Sequence, residues 1–461
     1  MLLKNKLKEM KTFLNSNNVL ANLEERYCYA EDASNLISEK KTPDLVIFVE
    51  SIEEVQKVIK YAYIHEIPII PRGAGTNMVG ACVCNSGGIV LNFSKMNKIL
   101  EINPTNMTAK VQPGVILGDL KKEVEKFNLF YPPDPSNFKV STIGGSIAQS
   151  SGGALSFKYG TTKDYVLSLK VVTSDGSLIT LGSQVSKNSS GYHLAQLIVG
   201  SEGTLGIVVE ATLKLIPKPQ TKRLVLGYFN NEVDLVKAVD NIISEQVFPA
   251  SIDFMAKKAI QTIEDFSNCG FNLDYNYLLL VELDGFETSI VEQTELVEHA
   301  LSNANSKLIQ TPKLNETDAI WEARRTSFAA STRLAPDVVS DDIIVPRANL
   351  AEVIKLCNEI SEKHNINMCL IGHIGDGNLH PQFVLDLDNE TNFRNLIACK
   401  EELYSIVKNF NGLISAEHGI GLEKKKYLTS ILDNKSIEYM KLIKKAFDPK
   451  NILNPGKIFD I

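Results

Sequence analysis

Histidine is scarce in this chain, seven residues in 461, and three of the seven fall in two short glycine-bearing motifs. The first is Gly372-His373-Ile374-Gly375-Asp376-Gly377-Asn378-Leu379-His380. Apolar runs precede it at residues 368–371 and follow it at 383–385, so Asp376-Gly377 reads as the two-residue turn of a β-hairpin. Counting outward from that turn sets Gly375 opposite Asn378, Ile374 opposite Leu379 and His373 opposite His380. The two histidines then share one face, with Cβ atoms about 4.5–5.5 Å apart. Facing imidazoles make a natural bidentate metal site. The second motif, Ser415-Ala416-Glu417-His418-Gly419-Ile420-Gly421, offers a carboxylate and an imidazole as the further donor. A nitrogen-and-oxygen set with open positions suits Zn²⁺, Mn²⁺ or Fe²⁺ in a reactive role, whereas a closed structural zinc would favour thiolates.

An arginine-bearing stretch supplies complementary chemistry. Trp321-Glu322-Ala323-Arg324 is followed by Phe328, Arg333, Asp342 and Val345-Pro346-Arg347. A guanidinium donates two parallel hydrogen bonds to a carboxylate, which makes Arg the favoured anchor for a small organic acid. The same stretch also reads as a solvated helix face, because Arg324 and Arg325 lie among Glu and Ser residues.

Four glycine-rich segments precede residue 219. Pro71-Arg72-Gly73-Ala74-Gly75-Thr76-Asn77 is the first. It is not a Rossmann fingerprint, because its spacing is G-x-G-x4-G to Gly80 and residues 78–84 have strand character, so no helix N-terminus follows. Next, Pro132-Pro133-Asp134-Pro135-Ser136-Asn137 leads into Ser141-Thr142-Ile143-Gly144-Gly145-Ser146 and Ser151-Gly152-Gly153. Tyr159-Gly160-Thr161-Thr162 follows, and Gly200-Ser201-Glu202-Gly203-Thr204-Leu205-Gly206 enters a strand at Ile207. Small residues rich in backbone donors suit a long polyanion lying along the protein, such as a dinucleotide.

The elements that must position these groups follow from hydrophobic period. Residues 45–49 are apolar and β-rich, and Ser51 with Glu54 forms a capping box ahead of Ile52, Val55, Val58, Ile59 and Ala62 at helical spacing. That helix ends near His65-Glu66, and residues 67–70 give a second apolar run, so 45–70 reads as a β-α-β unit with parallel strands. Residues 166–172 turn at Asp175-Gly176 into 177–181, and 207–215 alternate apolar with polar. Pro217-Lys218-Pro219 marks a boundary, beyond which helices near 232–245, 288–303 and 350–364 alternate with strands such as 277–283, an α+β pattern.

Composition narrows the function classes. With 48 Lys and Arg against 55 Asp and Glu the net charge is −7, and the lysines are dispersed, which argues against nucleic acid as a ligand. No apolar run reaches the roughly 20 residues of a membrane helix, and residues 1–14 alternate Leu with Lys without a signal-peptide core, the pattern of a mature cytoplasmic N-terminus. The seven cysteines, Cys28, Cys82, Cys84, Cys269, Cys357, Cys369 and Cys399, are scattered, as expected of free thiols in a reducing compartment and not of an iron–sulfur ligand set.

Together, P-R-G-A-G-T-N, P-D-P-S-N with S-T-I-G-G, and G-S-E-G-T-L-G-I-V resemble the FAD-linked D-2-hydroxy acid dehydrogenases, which include glycolate oxidase catalytic subunits and D-lactate dehydrogenases. These belong to the vanillyl-alcohol-oxidase type FAD-binding superfamily. The resemblance covers nearly the whole chain and implies an α+β fold. Its parts would be an N-terminal helical segment (1–40), a two-subdomain FAD-binding domain (41–219), a substrate or cap domain (220–410) and a C-terminal segment returning to the flavin (411–461). It implies that residues 73–77 and 141–146 hold the pyrophosphate region and 203–207 line the adenine or flavin side. Pro71, Arg72, Pro135, Ser151, Gly152, Gly160, Thr161, Glu202 and Asn454 belong to the same cofactor set. The FAD is expected to be non-covalent, since the first loop has no His.

The resemblance further implies His373, His380 and Glu417 as ligands of a divalent metal and His418 as the base. Arg324 would contact the substrate carboxylate, with Asn378 supporting substrate or flavin. Where the D-2-hydroxyglutarate branch carries a Lys six residues before the Pro matching Pro346, this chain has Ser340, so a short 2-hydroxy acid such as D-lactate or glycolate is expected rather than a long diacid. A transferase of the alkyl-dihydroxyacetone-phosphate synthase type would carry adjacent histidines, and none are contiguous here. A non-catalytic scaffold would not need the ligand, base and Arg set. Without an NAD fingerprint or a cluster-binding cysteine set, electrons should pass to a separate acceptor such as an electron-transfer flavoprotein or an iron–sulfur subunit. A homodimer fits this reading as one possible assembly.

Overall fold

The computed structural model describes residues 9–10, 12, 14–37 and 40–461. Most of the Leu/Lys stretch at 1–14 lies outside them. Within the described part of residues 1–40 there is a short helix, Leu23–Tyr27, but also a strand, Val19–Leu20, that pairs antiparallel with Leu45–Phe48. That segment is therefore not wholly helical.

Ser51 caps the helix Ile52–His65 through a bond from the Glu54 amide, while the Glu54 carboxylate reaches back to the Glu50 amide instead of closing the box on Ser51. The helix buries Val55, Val58, Ile59 and Ala62 against Leu45, Ile47 and Ile89. Its flanking strands, Leu45–Phe48 and Ile69–Arg72, are parallel, yet they are not neighbours. The strand Ile89–Asn92 lies between them and pairs with both. Residues 78–84, expected as strand, are irregular, because the Asn77 side chain accepts the Val79 and Ala81 amides and curls the chain into a turn. A second sheet runs Ile99–Asn103, Thr108–Val111, Ile207–Lys214, Val166–Val172, Leu178–Gly182. Thr142 caps a helix, Ile143–Gln149, so the second glycine motif starts a helix and is not an open loop.

A third sheet has eight strands. Its main path is Leu308–Gln310, Thr221–Phe229, Tyr277–Gly285, Ser251–Ala256, Asn367–His373, Asn378–Leu385, Asp337–Ser340, with Ile343–Ile344 pairing beside Asn378–Leu385. In Tyr277–Gly285, Leu279, Val281 and Leu283 enter one core while Leu278 and Leu280 enter the other. Both faces are covered, so the strand reads as an unbroken apolar run. Helices Glu232–Ser244, Glu287–Asn303, Leu350–Lys363 and Glu390–Asn409 cover the first face, and Lys257–Ser267 and Leu314–Arg325 the second.

The C-terminal residues return to the first glycine loop. Leu453 bridges to Ile69, and the Asn454 side chain, on a residue with φ +42°, donates to the carbonyls of Ala81 (2.9 Å) and Glu202 (2.7 Å). The buried Lys457 ammonium donates to the Val83 carbonyl at 2.7 Å and to the Asn85 side chain.

Candidate active site

Strand parity decides which side chains meet. Met255, Cys369, Ile371 and Val384 belong to the second core of the large sheet, so residues two apart from them share that face. Asp253, His373, His380 and Gln382 do so, and Arg324 comes down on the same face from the end of the helix Leu314–Arg325. The hairpin register differs from the expected one: His373 pairs with Asn378, and His380 pairs with Ile371. The loop spans Ile374 to Gly377 because Ile374 is driven into the first core and the Gly375 amide bonds the Ile252 carbonyl of the next strand. The slip is two residues, which keeps each side chain on its face. His373 and His380 are therefore diagonal rather than directly opposite, with ring centroids 5.2 Å apart.

These groups border a cavity of about 740 Å³ between the large sheet and the glycine segments. Its wall includes the whole first loop (Pro71, Arg72, Gly73, Ala74, Gly75, Thr76, Asn77), then Pro135, Ser141, Thr142, Gly144, Gly145, Ser146 and Ser151, and then Glu202, Gly203, Gly206 and Ile207. The hydroxyls of Ser141 and Ser146 are buried there without a hydrogen-bond partner, which fits a ligand rich in acceptor oxygens. Gly152, Gly160, Thr161, Asn378 and Asn454 stand off the wall. Gly152 instead admits Glu417, since a Cβ there would lie 2.8 Å from Glu417 Oε2. The Thr161 amide donates to Asp164 and closes the turn after Gly160, Asn378 bonds Asp342 and the Ile343 carbonyl, and Asn454 ties two loops together.

Glu417 lies between the two histidines. Its Oε1 is 3.6 Å from His373 Nε2 and 3.3 Å from His380 Nε2, and the three side chains offer ligand atoms within 4.8 Å of one another. This donor set fits a divalent cation bound by nitrogen and oxygen. Asp342, His380 and His418 form a second such group sharing His380, but the Asp342 carboxylate is already occupied. Its Oδ2 accepts the amides of Ala416 (2.7 Å), Glu417 (2.9 Å) and His418 (2.9 Å) and the Ser415 hydroxyl (2.9 Å), and its Oδ1 accepts Asn378. Asp342 thus folds residues 415–418 into a cup that points Glu417 and His418 at the cavity. Glu202 holds the following turn by accepting the amides of Ile420 and Gly421. Gly419 there has φ +85°, and a Cβ would strike Gln149 Oε1 at 2.2 Å.

Electrostatics follow from burial in this cluster. Burial opposes charge on His373, but the Asp253 and Glu417 carboxylates outweigh it and push its pKa up to about 10. Burial likewise opposes charge on Glu417, and hydrogen bonds with His373 and His380 hold it well below the usual carboxylate range. His418 is pulled below the ordinary histidine value, chiefly by burial, which favours its neutral form. Its Nδ1 is buried without a partner, while Nε2 lies 3.9 Å from Glu417 Oε1. Burial raises Glu202 to about 7.

Arg324 is almost fully buried, with Nη2 2.8 Å from Asp253 Oδ2, and its Nε has no hydrogen-bond partner. The other oxygen of Asp253 bonds His373 Nδ1 at 2.8 Å. Asp253 and Gln382 are the residues that reading the sequence missed. A lone carboxylate inside the apolar strand Ser251–Ala256 was the available signal, since a buried charge needs paired partners.

Comparison with known proteins agrees with this architecture. A family model described as an FAD binding domain matches residues 43–182, and one described as FAD linked oxidases, C-terminal domain, matches residues 218–458. The chain is 41% identical over 435 residues to the glycolate oxidase subunit GlcD of Bacillus subtilis, covering 94% of this chain and 92% of that protein. It is 36% identical to a D-lactate dehydrogenase of Anaerostipes hadrus (91% and 90% covered) and 32% identical to a D-2-hydroxyglutarate dehydrogenase of Stutzerimonas stutzeri (98% of each). The solved structure of p-cresol methylhydroxylase with substrate bound superposes with a TM-score of 0.83 at 17% identity, over 99% of this chain and 97% of that one, which is the vanillyl-alcohol-oxidase type fold. Flavin-sized cavity, sheet topology and sequence kinship converge, and the chain belongs to the FAD-linked oxidases.

Proposed function

We propose that this FAD-dependent oxidoreductase oxidises a short D-2-hydroxy acid, D-lactate or glycolate, to the 2-oxo acid and passes the electrons to a separate acceptor. One observation carries the reading: the Arg324 guanidinium and the His373, His380, Glu417 donor set line the same cavity as the glycine segments. In this reading Arg324 donates a forked pair of hydrogen bonds to the substrate carboxylate. His418, kept neutral by burial, receives the hydroxyl proton at Nε2, the nitrogen not enclosed by protein. His373, His380 and Glu417 would hold a divalent metal, which would supply Lewis acidity toward the substrate hydroxyl. FAD bound along the glycine segments would supply the hydride acceptor. A 2-oxo acid, the hydroxyl proton on His418 and the C2 hydride accepted by the flavin would account for both hydrogens and both electrons.

Substrate length is argued from the remaining wall. Ser340 pairs with Gln382, whose amide is held by Ser327 and Ser331, so this side is neutral and fixed. Arg325, the other cation on this side, is already paired with Asp134. The wall at Ser340 and Gln382 thus offers neutral groups to the distal end of a substrate. Non-covalent flavin is favoured because burial pushes the Cys82 thiol to about 12, leaving little thiolate. The test is to mix FAD-loaded protein anaerobically with D- and L-2-hydroxy acids and follow flavin bleaching. Rapid bleaching by D-lactate or glycolate, lost with a chelator and regained with Zn²⁺ or Mn²⁺, is expected. Full reduction by metal-free protein, or preference for D-2-hydroxyglutarate, would refute the corresponding part.

A further inference from the structure

One carboxylate touches both halves of the proposed site. Asp253 sits on the strand Ser251–Ala256, 1% exposed, beside the strand Asn367–His373, with Phe254 paired to Gly372. One further step of that pairing brings Asp253 opposite His373. Its Oδ1 accepts from His373 Nδ1 at 2.8 Å, and its Oδ2 lies 2.8 Å from Arg324 Nη2. The first contact specifies which ring nitrogen of His373 carries hydrogen and leaves Nε2 facing Glu417. The second is an ion pair that holds a long buried side chain whose Nε and Nη2 make no hydrogen bond. Arg324 and His373 are 49 residues apart in the chain, and this aspartate contacts both.

We infer that Asp253 is a positioning residue serving two half-sites at once, orienting the metal-facing histidine and the carboxylate-binding arginine as one rigid unit. This rests on the proposed function, because it takes the metal and substrate-carboxylate roles from it. Both groups are oriented before substrate arrives, so a 2-hydroxy acid meets its hydroxyl site and its carboxylate site at a fixed separation. That is preorganisation by a single buried anion. An ordinary buried ion pair would protect stability alone. A double positioning role moves two separate binding readouts.

The experiment uses FAD-loaded full chains of wild type, D253N, R324M and H373Q, accepted as folded by FAD content and thermal melting. Zn²⁺ retention is measured by competition with a chelator. Pyruvate binding is read from the flavin absorbance shift with chelator in excess, so that the carboxylate half-site is seen alone. D253N is expected to weaken both by about tenfold or more. R324M should weaken pyruvate only and H373Q Zn²⁺ only. Should D253N fail to fold, D253E, which keeps the charge while moving the carboxylate by one methylene, carries the same two readouts with the same expected pattern. A folded variant at position 253 that keeps wild-type Zn²⁺ retention or wild-type pyruvate binding overturns the inference. Wild type that binds no Zn²⁺ overturns the parent reading as well.

Discussion

Replacing Asp342 by Ala removes the acceptor that gathers four donors, three of them consecutive backbone amides, into the cup at residues 415–418. Each hydrogen bond to a buried carboxylate contributes about 1.5–3 kcal/mol, but the four share one oxygen and are not additive. Loss of a buried charged partner costs about 3–5 kcal/mol in total. The cup keeps other anchors, since Glu202 still accepts from Ile420 and Gly421 and the Asn77 side chain still reaches the His418 carbonyl. The damage should therefore fall on the orientation of Glu417 and His418 more than on the global fold. Converted at about 1.4 kcal/mol per decade, Zn²⁺ affinity should drop by up to about two to three and a half orders of magnitude if the whole cost falls on the metal site, and flavin reduction with it. D342N should be milder: its amide oxygen can still accept the three backbone amides, at the expense of a donor facing Asn378. Chelator competition and stopped-flow flavin bleaching, with FAD content as the folding control, measure both. D342A that binds Zn²⁺ within threefold of wild type and is reduced at the wild-type rate would refute this account of the cup.

Arg324→Lys keeps the charge but loses the fork, so KM for the 2-hydroxy acid should rise by about 10–100-fold with FAD content unchanged, as steady-state kinetics will read. Glu202, raised to about 7 by burial, contributes stability that is fully present below its unfolded value near 4.5 and is lost as pH rises through 7. The stability difference between wild type and E202Q should therefore move against wild type by up to about 3 kcal/mol between pH 4.5 and 8, measured by urea unfolding. A flat difference across that range would show that Glu202 does not titrate in the fold.

Local signals in the sequence located the chemistry better than they located its geometry. The glycine segments, the paired histidines and Arg324 stand out because their types and spacings are unusual over a few residues, and most of them line one cavity. The observed hairpin register departs from the two-residue turn that Asp376-Gly377 signals because burial of Ile374 and the bond to the Ile252 carbonyl are tertiary effects with no local mark. The strand inserted between Leu45–Phe48 and Ile69–Arg72 is invisible for the same reason: Ile89–Asn92 reads as a strand but carries nothing that states its neighbours. Asp253 was missed because its partners lie 71 and 120 residues away, and a single carboxylate announces neither.

The clasp of Asn454 and Lys457 on the first glycine loop has a consequence for the order of biosynthesis. Ala81 and Asn454 are separated by 373 residues, so the loop emerges from the ribosome long before the residues that secure it. At about 5–20 residues per second, that interval lasts roughly 20–75 s. During it the loop lacks the hydrogen bonds that Asn454 and Lys457 later make to it, so its final hydrogen-bonding can be completed only once nearly the whole chain has been made.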